Sequence, residues 1–154
     1  MASMTTEFYK VVLVTRAKDE ELDYKKIKEI VSEIIDEHAI DNDGYLSIDL
    51  SPDILPTSIE PKEVMDVFDD DKYLFGRIAR KKANNTVIKR DYSTLKANNV
   101  FEDYEVSDKG IEVYTFFILD YDKGILSVVN TKGAPNFKAL DALCLYYNSE
   151  YKFN

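Results

Sequence analysis

Apolar residues at intervals of three and four predict an amphipathic helix over Leu22–His38. Charged side chains fill its other faces, and Asp19 precedes it as the expected N-cap. A second stretch with the same spacing follows Asn136, which is also a good N-cap residue. The apolar positions are Ile27, Ile30, Val31, Ile34 and Ile35 in the first helix and Phe137, Leu140, Leu143, Cys144 and Tyr147 in the second. Each predicted helix therefore has one face to bury.

Runs of aromatic and β-branched residues predict the strands. They are Phe8–Thr15, Tyr45–Leu50, Lys72–Lys81, Thr86–Arg90, Ile111–Asp120 and Ile125–Asn130. The third and fourth of these are predicted to pair as a hairpin across Lys82–Asn85, and the last two across Tyr121–Gly124. The segment Glu63–Phe68 is predicted to form one or two turns of helix.

The order of these elements predicts an α+β protein. Because hairpins dominate, we expect a single, mainly antiparallel sheet of about five to six strands with two principal helices packed on one face. A length of 154 residues is that of one ordinary domain, which we place at residues 7–154. Residues 1–6 are expected to be a flexible N-terminus that contains a cloning remnant.

The charge balance narrows the choice of partners. The chain carries 20 Lys and Arg against 29 Asp and Glu, a formal net charge of −9. Such a surface repels the phosphates of nucleic acids and anionic lipids, and it attracts basic proteins. No apolar run is long enough to span a bilayer, and no apolar leader follows the first residues. We therefore expect a cytoplasmic protein with a basic protein as partner. The cell would be a bacterium, or the host cell of a phage if a phage encodes the protein.

One segment departs from this acidic average. Between Arg77 and Lys96 there are seven cations and a single anion, Asp91. If the two predicted strands in this segment pair, their cations form a basic hairpin that is suited to bind phosphate or an acidic protein. The predicted binding residues are Arg77, Arg80, Lys81, Lys82, Lys89 and Arg90. The competing interpretation is that these lysines and arginines protect an exposed strand from edge pairing or offset the acidic remainder of the chain.

No arrangement of residues points to a catalytic centre or a bound cofactor. The turn Asp41–Gly44 resembles a calcium loop but lacks its first ligand and its bidentate glutamate. One cysteine and one histidine exclude a zinc site made of these residue types alone. A nucleophilic pair of Cys144 and His38 is conceivable, yet Cys144 lies on the apolar stripe of its helix, where cysteine acts as a small hydrophobic residue. We expect no metal, no cofactor and no catalytic residue.

Three functional interpretations remain open. The first is an acidic, non-catalytic interaction module, such as a phage or mobile-element protein that binds and inhibits a basic host protein. The second is a metal-dependent nucleic-acid-processing or nucleotide-recognising domain that uses the basic hairpin of residues 77–96. The third is an oligomer-forming subunit that uses its tyrosines, 11 in all, at an interface. The first is the prediction that composition and charge favour.

Overall fold

The computed structural model describes residues 4–55, 62–81, 88–99, 111–131 and 133–154. The strands in these residues are β1 (Met4–Lys10), β2 (Leu13–Thr15), β3 (Ile40–Asp41), β4 (Leu46–Asp49), β5 (Glu63–Asp69), β6 (Tyr73–Lys81), β7 (Ile88–Arg90), β8 (Ala97–Asn99), β9 (Glu112–Asp120), β10 (Ile125–Thr131) and β11 (Tyr151–Phe153). The helices are α1 (Tyr24–His38) and α2 (Asp141–Tyr147), the second preceded by a 3₁₀ turn over Phe137–Leu140.

Seven of these strands form one antiparallel sheet in the order β1-β10-β9-β6-β5-β4-β3. The predicted α+β class and the antiparallel sheet are therefore confirmed. The sheet has seven strands instead of five or six, because it gains β3 and β5, which were not predicted as strands, while the predicted strand Thr86–Arg90 is not part of it. Two further pairs, β11 with β2 and β7 with β8, stand outside the main sheet.

The prediction of helix over Glu63–Phe68 is wrong, because this segment forms β5. Val64, Val67 and Phe68 are spaced as on a helix face, but Met65 and Val67 are the side chains that enter the core. Strand β5 lies between β4 and β6, and it pairs with β6 along its whole length and with β4 over residues 64–67. Backbone pairing on both edges therefore outweighs a short helical pattern.

The predicted hairpin between Lys72–Lys81 and Thr86–Arg90 is not formed. Strand β6 pairs with β5 on one edge and with β9 on the other, where Lys81 is opposite Glu112. Strand β7 pairs instead with β8 in a separate two-stranded ribbon. The predicted turn at Lys82–Asn85 lies outside the described residues. The hairpin of β9 and β10 is confirmed, with Gly124 at a positive φ of 63° in its turn.

The predicted strand Phe8–Thr15 is divided between two strands, β1 and β2, which belong to different sheets. Strand β1 starts at Met4 and pairs with β10, so residues 4–6 are part of the sheet, and the cloning remnant stays a prediction. Residues 1–3 lie outside the described part of the chain. Strand β2 pairs with β11 at the C-terminal end. The chain changes partner at Val11, whose amide donates to the carbonyl of Gly124.

The two predicted caps have different outcomes. Helix α1 is capped by Asp23, whose carboxylate accepts a hydrogen bond of 3.0 Å from the amide of Lys25, and Asp19 lies earlier at a positive φ of 53°. Asn136 is a cap as predicted, and its side chain accepts a hydrogen bond of 2.9 Å from the amide of Lys138. This cap starts the 3₁₀ turn that continues into α2.

Both helices pack against the same alternating positions of the main sheet. Their buried residues belong to one hydrophobic core with the strand residues Ile48, Met65, Val67, Leu74, Ile78, Phe117, Leu119, Leu126 and Val128. Gly76 belongs to the same face, and a Cβ there would lie 2.6 Å from the ring of Phe117 and 2.8 Å from the carbonyl of Asp66. A side chain at this position would push β5 and β6 away from the core. No helix in the described ranges is both long enough and apolar enough to cross a membrane.

Candidate functional site: the outer face of the sheet

The strand positions that point away from the helices form a second surface, which we call the outer face. Successive side chains of a strand point to opposite sides, so strand register fixes its membership. Its members on the five strands β5, β6, β9, β10 and β1 are Val64, Asp66, Phe68, Tyr73, Phe75, Arg77, Ala79, Lys81, Glu112, Tyr114, Phe116, Ile118, Asp120, Ile125, Ser127, Val129, Thr6, Phe8 and Lys10. Ser47 of β4 extends the same face by one strand.

Large apolar side chains dominate the outer face and remain exposed. They are between 37% and 70% exposed and comprise Phe8, Phe68, Tyr73, Phe75, Tyr114, Phe116, Ile118 and Ile125. An antiparallel sheet with one covered face ordinarily carries polar residues on the other. Here the face without helices is apolar as well. Contiguous apolar patches of this kind mark binding surfaces on soluble proteins.

The aromatic rings of this surface are held in contacting pairs. Tyr114 and Phe116 lie edge to face on β9 with ring centroids 4.8 Å apart. Tyr73 and Phe75 form a tilted pair on β6 at 5.7 Å. Such pairs restrict each other's rotamers, so less side-chain entropy is lost when a ligand covers them. The rings of these two pairs are therefore partly fixed within the chain itself.

A polar row crosses one half of the outer face. Ser47, Asp66 and Arg77 are direct neighbours on β4, β5 and β6. The Oγ of Ser47 donates to Oδ1 of Asp66, and Nε of Arg77 donates to Oδ2, both at 2.6 Å. Asn42 extends the row with a hydrogen bond of 3.3 Å to Ser47. Both carboxylate oxygens of the nearly buried Asp66 are therefore satisfied.

Arg77 links this row to the aromatic surface. Its guanidinium carbon lies 5.3 Å from the ring centre of Tyr45 and 5.7 Å from that of Tyr114, within the range of cation–π attraction. The hydrogen bond to Asp66 raises the pKa of Arg77, so its charge is permanent. The ion pair and the two rings hold the guanidinium against the sheet, and its charge is neutralised locally. Arg77 thus belongs to the surface as a rigid contact group.

The five predicted binding cations that the structure describes do not form one surface. Arg77 and Lys81 lie on the outer face, whereas Arg80 points to the opposite side of β6 and donates to the carbonyl of Gly133 at 2.9 Å. Lys82 lies outside the described residues. Lys89 and Arg90 belong to the separate ribbon, where Arg90 donates to the carbonyl of Leu95 at 2.8 Å. Their role in binding stays a prediction, without the single hairpin that was expected to unite them.

Cys144 and His38, the residues considered for catalysis, have the contacts of structural residues. Cys144 is fully buried in the core, and burial raises the pKa of its thiol to about 11. His38 stacks on Tyr147 with ring centroids 4.6 Å apart. Within the described part of the chain, no three Asp, Glu, His or Cys side chains come together as a metal site. These surroundings offer no activated nucleophile.

The aromatic outer face was missed in the sequence, although a signal for it exists. Strand β9 carries apolar residues at both sets of alternating positions, such as Phe117 in one set and Phe116 in the other. That pattern is typical of a strand buried on both faces. Two helices on one side of the sheet leave nothing to bury the second set. Taken together, the two observations predict an exposed apolar face.

Comparisons with protein-family models, with curated proteins and with solved structures found no match to this chain.

Proposed function

We propose that this chain is a non-catalytic protein-interaction module whose partner docks on the outer face. The observation that carries the proposal is the exposed aromatic surface on the strands opposite both helices. Aromatic side chains and arginine are the residues that contribute most to protein interfaces. The outer face presents both, with Phe75 and Phe116 flanking Arg77 on the two central strands.

The acidic surface of the chain supports a preference for basic partners. A net charge of −9 raises the encounter rate with positively charged proteins. We therefore propose a partner that presents an apolar patch bordered by basic side chains. A phage or mobile-element protein that inhibits a basic host protein would have this pair of properties. The apolar contact would supply the affinity and the charges would supply the orientation.

The alternative of a nucleic-acid domain has less support. It was based on one basic hairpin, and the cations of residues 77–96 are instead divided between β6 and the β7–β8 ribbon. Exposed aromatic rings can stack on unpaired bases, and such binding requires a positively charged path for the backbone. The charge of Arg77 is already neutralised by Asp66. Single-stranded RNA is therefore a useful control ligand.

Photo-crosslinking from the outer face tests the proposal. The photoreactive residue p-benzoylphenylalanine is introduced in place of Phe116 or, as a matched control, of Leu145, which is 53% exposed on α2. We expect a discrete protein adduct from position 116 and none from position 145. Adding Phe75→Thr should reduce the adduct, because this change removes apolar contact area beside the crosslinker.

The contrary outcomes are equally specific. Equal labelling from both positions, or no protein adduct from position 116, would contradict protein binding on this face. Adducts with single-stranded RNA and not with protein would favour the nucleic-acid alternative. An adduct with another copy of this chain would support the outer face as the binding surface and would contradict the basic partner.

A further inference from the structure

We propose that the occupant of the outer face is a second copy of this chain, packed face to face in a two-fold dimer. This inference rests on the proposed function for the surface that binds, and it replaces the basic partner proposed there with a second copy of this chain. Two sheets that pack in this way form a β-sandwich with their strands aligned to within about 30°. Each copy then covers the apolar face that its own helices leave open.

The size of the outer face is that of a stable interface. Five strands about 4.8 Å apart, each about 25 to 30 Å long, give a flat area of roughly 600 Å². The accessible area of projecting aromatic side chains is larger than this projection. Stable protein interfaces bury about 800 Å² on each partner. The face is therefore large enough to hold two copies together.

The arrangement of residues on the face selects the orientation of the two copies. With the two-fold axis parallel to the strands and between β6 and β9, each β6 position faces its β9 neighbour from the other copy. The register then places Arg77 opposite Phe116, and Phe75 opposite Ile118. Arginine packs favourably on an aromatic ring, and the second contact joins two apolar side chains.

The outer strands complement each other in the same orientation. Here β5 faces β10, so the large Phe68 is opposite the small Ser127. At the end of the central strands, Lys81 is opposite Glu112 of the second copy. The projecting ring of Phe68 therefore meets the recess at Ser127, and the facing charges of Lys81 and Glu112 have opposite signs. Both features favour this arrangement of an isologous interface.

The other aligned orientation brings like charges together. With the two-fold axis perpendicular to the strands, β6 of one copy faces β6 of the other, and β9 faces β9. The facing strands then run in opposite directions. A central axis then places Glu112 of each copy opposite Asp120 of the other. Like charges that face each other in an interface are unfavourable. The parallel axis is thus the arrangement that the surface supports.

The first test is the mass of the purified protein in solution. Sedimentation velocity over about 1 to 100 µM should show a species of twice 17.8 kDa. Phe116→Thr should weaken the dimer by about 30-fold or more, because it removes a central aromatic contact. The matched control Leu145→Ala should leave the dimer unchanged. Circular dichroism of each variant identifies any loss of fold, and Phe75→Thr serves as a second variant.

The second test determines the orientation by mixing two charge variants. Glu112→Lys and Lys81→Glu should each weaken dimerisation by about tenfold, because each places like charges opposite one another. An equal mixture should form heterodimers preferentially, since Lys then faces Glu in both of the symmetry-related contacts. Pairing within one chain cannot produce this rescue. Dimers of both single variants without a preference for the heterodimer would overturn the proposed orientation.

The results separate this inference from the proposed function. A monomer at all concentrations would overturn the dimer, and a different protein crosslinked at position 116 would then leave the interaction module standing. A dimer that persists in both Phe116→Thr and Phe75→Thr would place its interface elsewhere and would also overturn the inference. Absence of both a dimer and a protein adduct would overturn the two proposals together.

Discussion

Arg77 on β6 and Asp66 on β5 are direct cross-strand neighbours, and their ion pair closes at 2.6 Å between Nε and Oδ2. The carboxylate is nearly buried and the guanidinium about one-third exposed. The pair therefore gives the apolar outer face one fixed polar element near its centre. It also connects β5 to β6 through side chains in addition to the backbone.

Removing the arginine should destabilise the fold. In Arg77→Met, Asp66 keeps its bond to Ser47 but loses its charged partner, which leaves a poorly solvated carboxylate. We expect a loss of about 2 to 3 kcal/mol in the free energy of unfolding, measured with urea. Arg90→Met, at an exposed position of the ribbon, should change it by less than about 0.5 kcal/mol. Equal effects of the two substitutions would contradict a structural role for the pair.

Two consecutive phenylalanines on β9 should respond very differently to truncation. Phe117 is 2% exposed and Phe116 is 47% exposed. Phe117→Ala should cost about 3 to 5 kcal/mol in the free energy of unfolding, because it leaves a cavity in the core. Phe116→Ala should cost about 1 kcal/mol or less when measured at low protein concentration, where association adds nothing. The reverse order would mean that the two faces of the sheet have been exchanged.

The buried cysteine should be inert in the folded protein. With its pKa raised to about 11 by burial, Cys144 is protonated and shielded near neutral pH. Iodoacetamide at about pH 8 should alkylate it only after unfolding in urea, as mass spectrometry would show. Rapid alkylation of the native protein would revive the idea of a nucleophile. The thiol ionises at a lower pH in the unfolded chain than in the folded protein. This group should therefore lower the free energy of unfolding as the pH rises from 9.0, the ordinary pKa of the cysteine thiol, towards 11.

The cap of the first helix can be tested with two aspartates. Asp23→Ala removes the acceptor for the amide of Lys25 and should cost about 1 kcal/mol. Asp19 has the positive φ that favours glycine, and it forms an exposed ion pair with Lys152. Asp19→Gly should therefore change stability by less than about 0.5 kcal/mol. Thermal unfolding of both variants and of the unchanged protein would rank their stabilities. A larger loss of stability for Asp19→Gly than for Asp23→Ala would argue against Asp23 as the cap.

Local patterns predicted the elements whose partners are close in sequence. The isoleucines of α1 repeat with helical spacing, and the β9–β10 hairpin needs only the short turn that ends at Gly124. Glu63–Phe68 was misassigned because Val64, Val67 and Phe68 repeat with the spacing of a helix. Its true structure depends on β4 and β6 at its two edges, and a local pattern carries no information about those partners.

The candidate site was harder to predict because it depends on long-range pairing. The basic segment from Arg77 to Lys96 was treated as one hairpin, since strands that follow each other usually pair. Strand β6 pairs instead with β9, which brings Phe116 beside Arg77. The ion pair with Asp66 depends on a strand that was predicted to be helical. The charges of the site were evident in the sequence, whereas the apolar residues on both sides of β9 showed their meaning only once the topology was known.

The register of β6 and β9 at their common end determines which segment of the chain can be replaced. Lys81 and Glu112 are paired, so the connection formed by residues 82–111 begins and ends at one point of the sheet. Each doubling in the length of such a connection costs only about 0.6 kcal/mol of closure entropy. Replacing the whole excursion with Asn-Gly should therefore preserve the scaffold. The end of β6 and β9 is thus a position where a segment of different length can be joined without altering the register of the sheet.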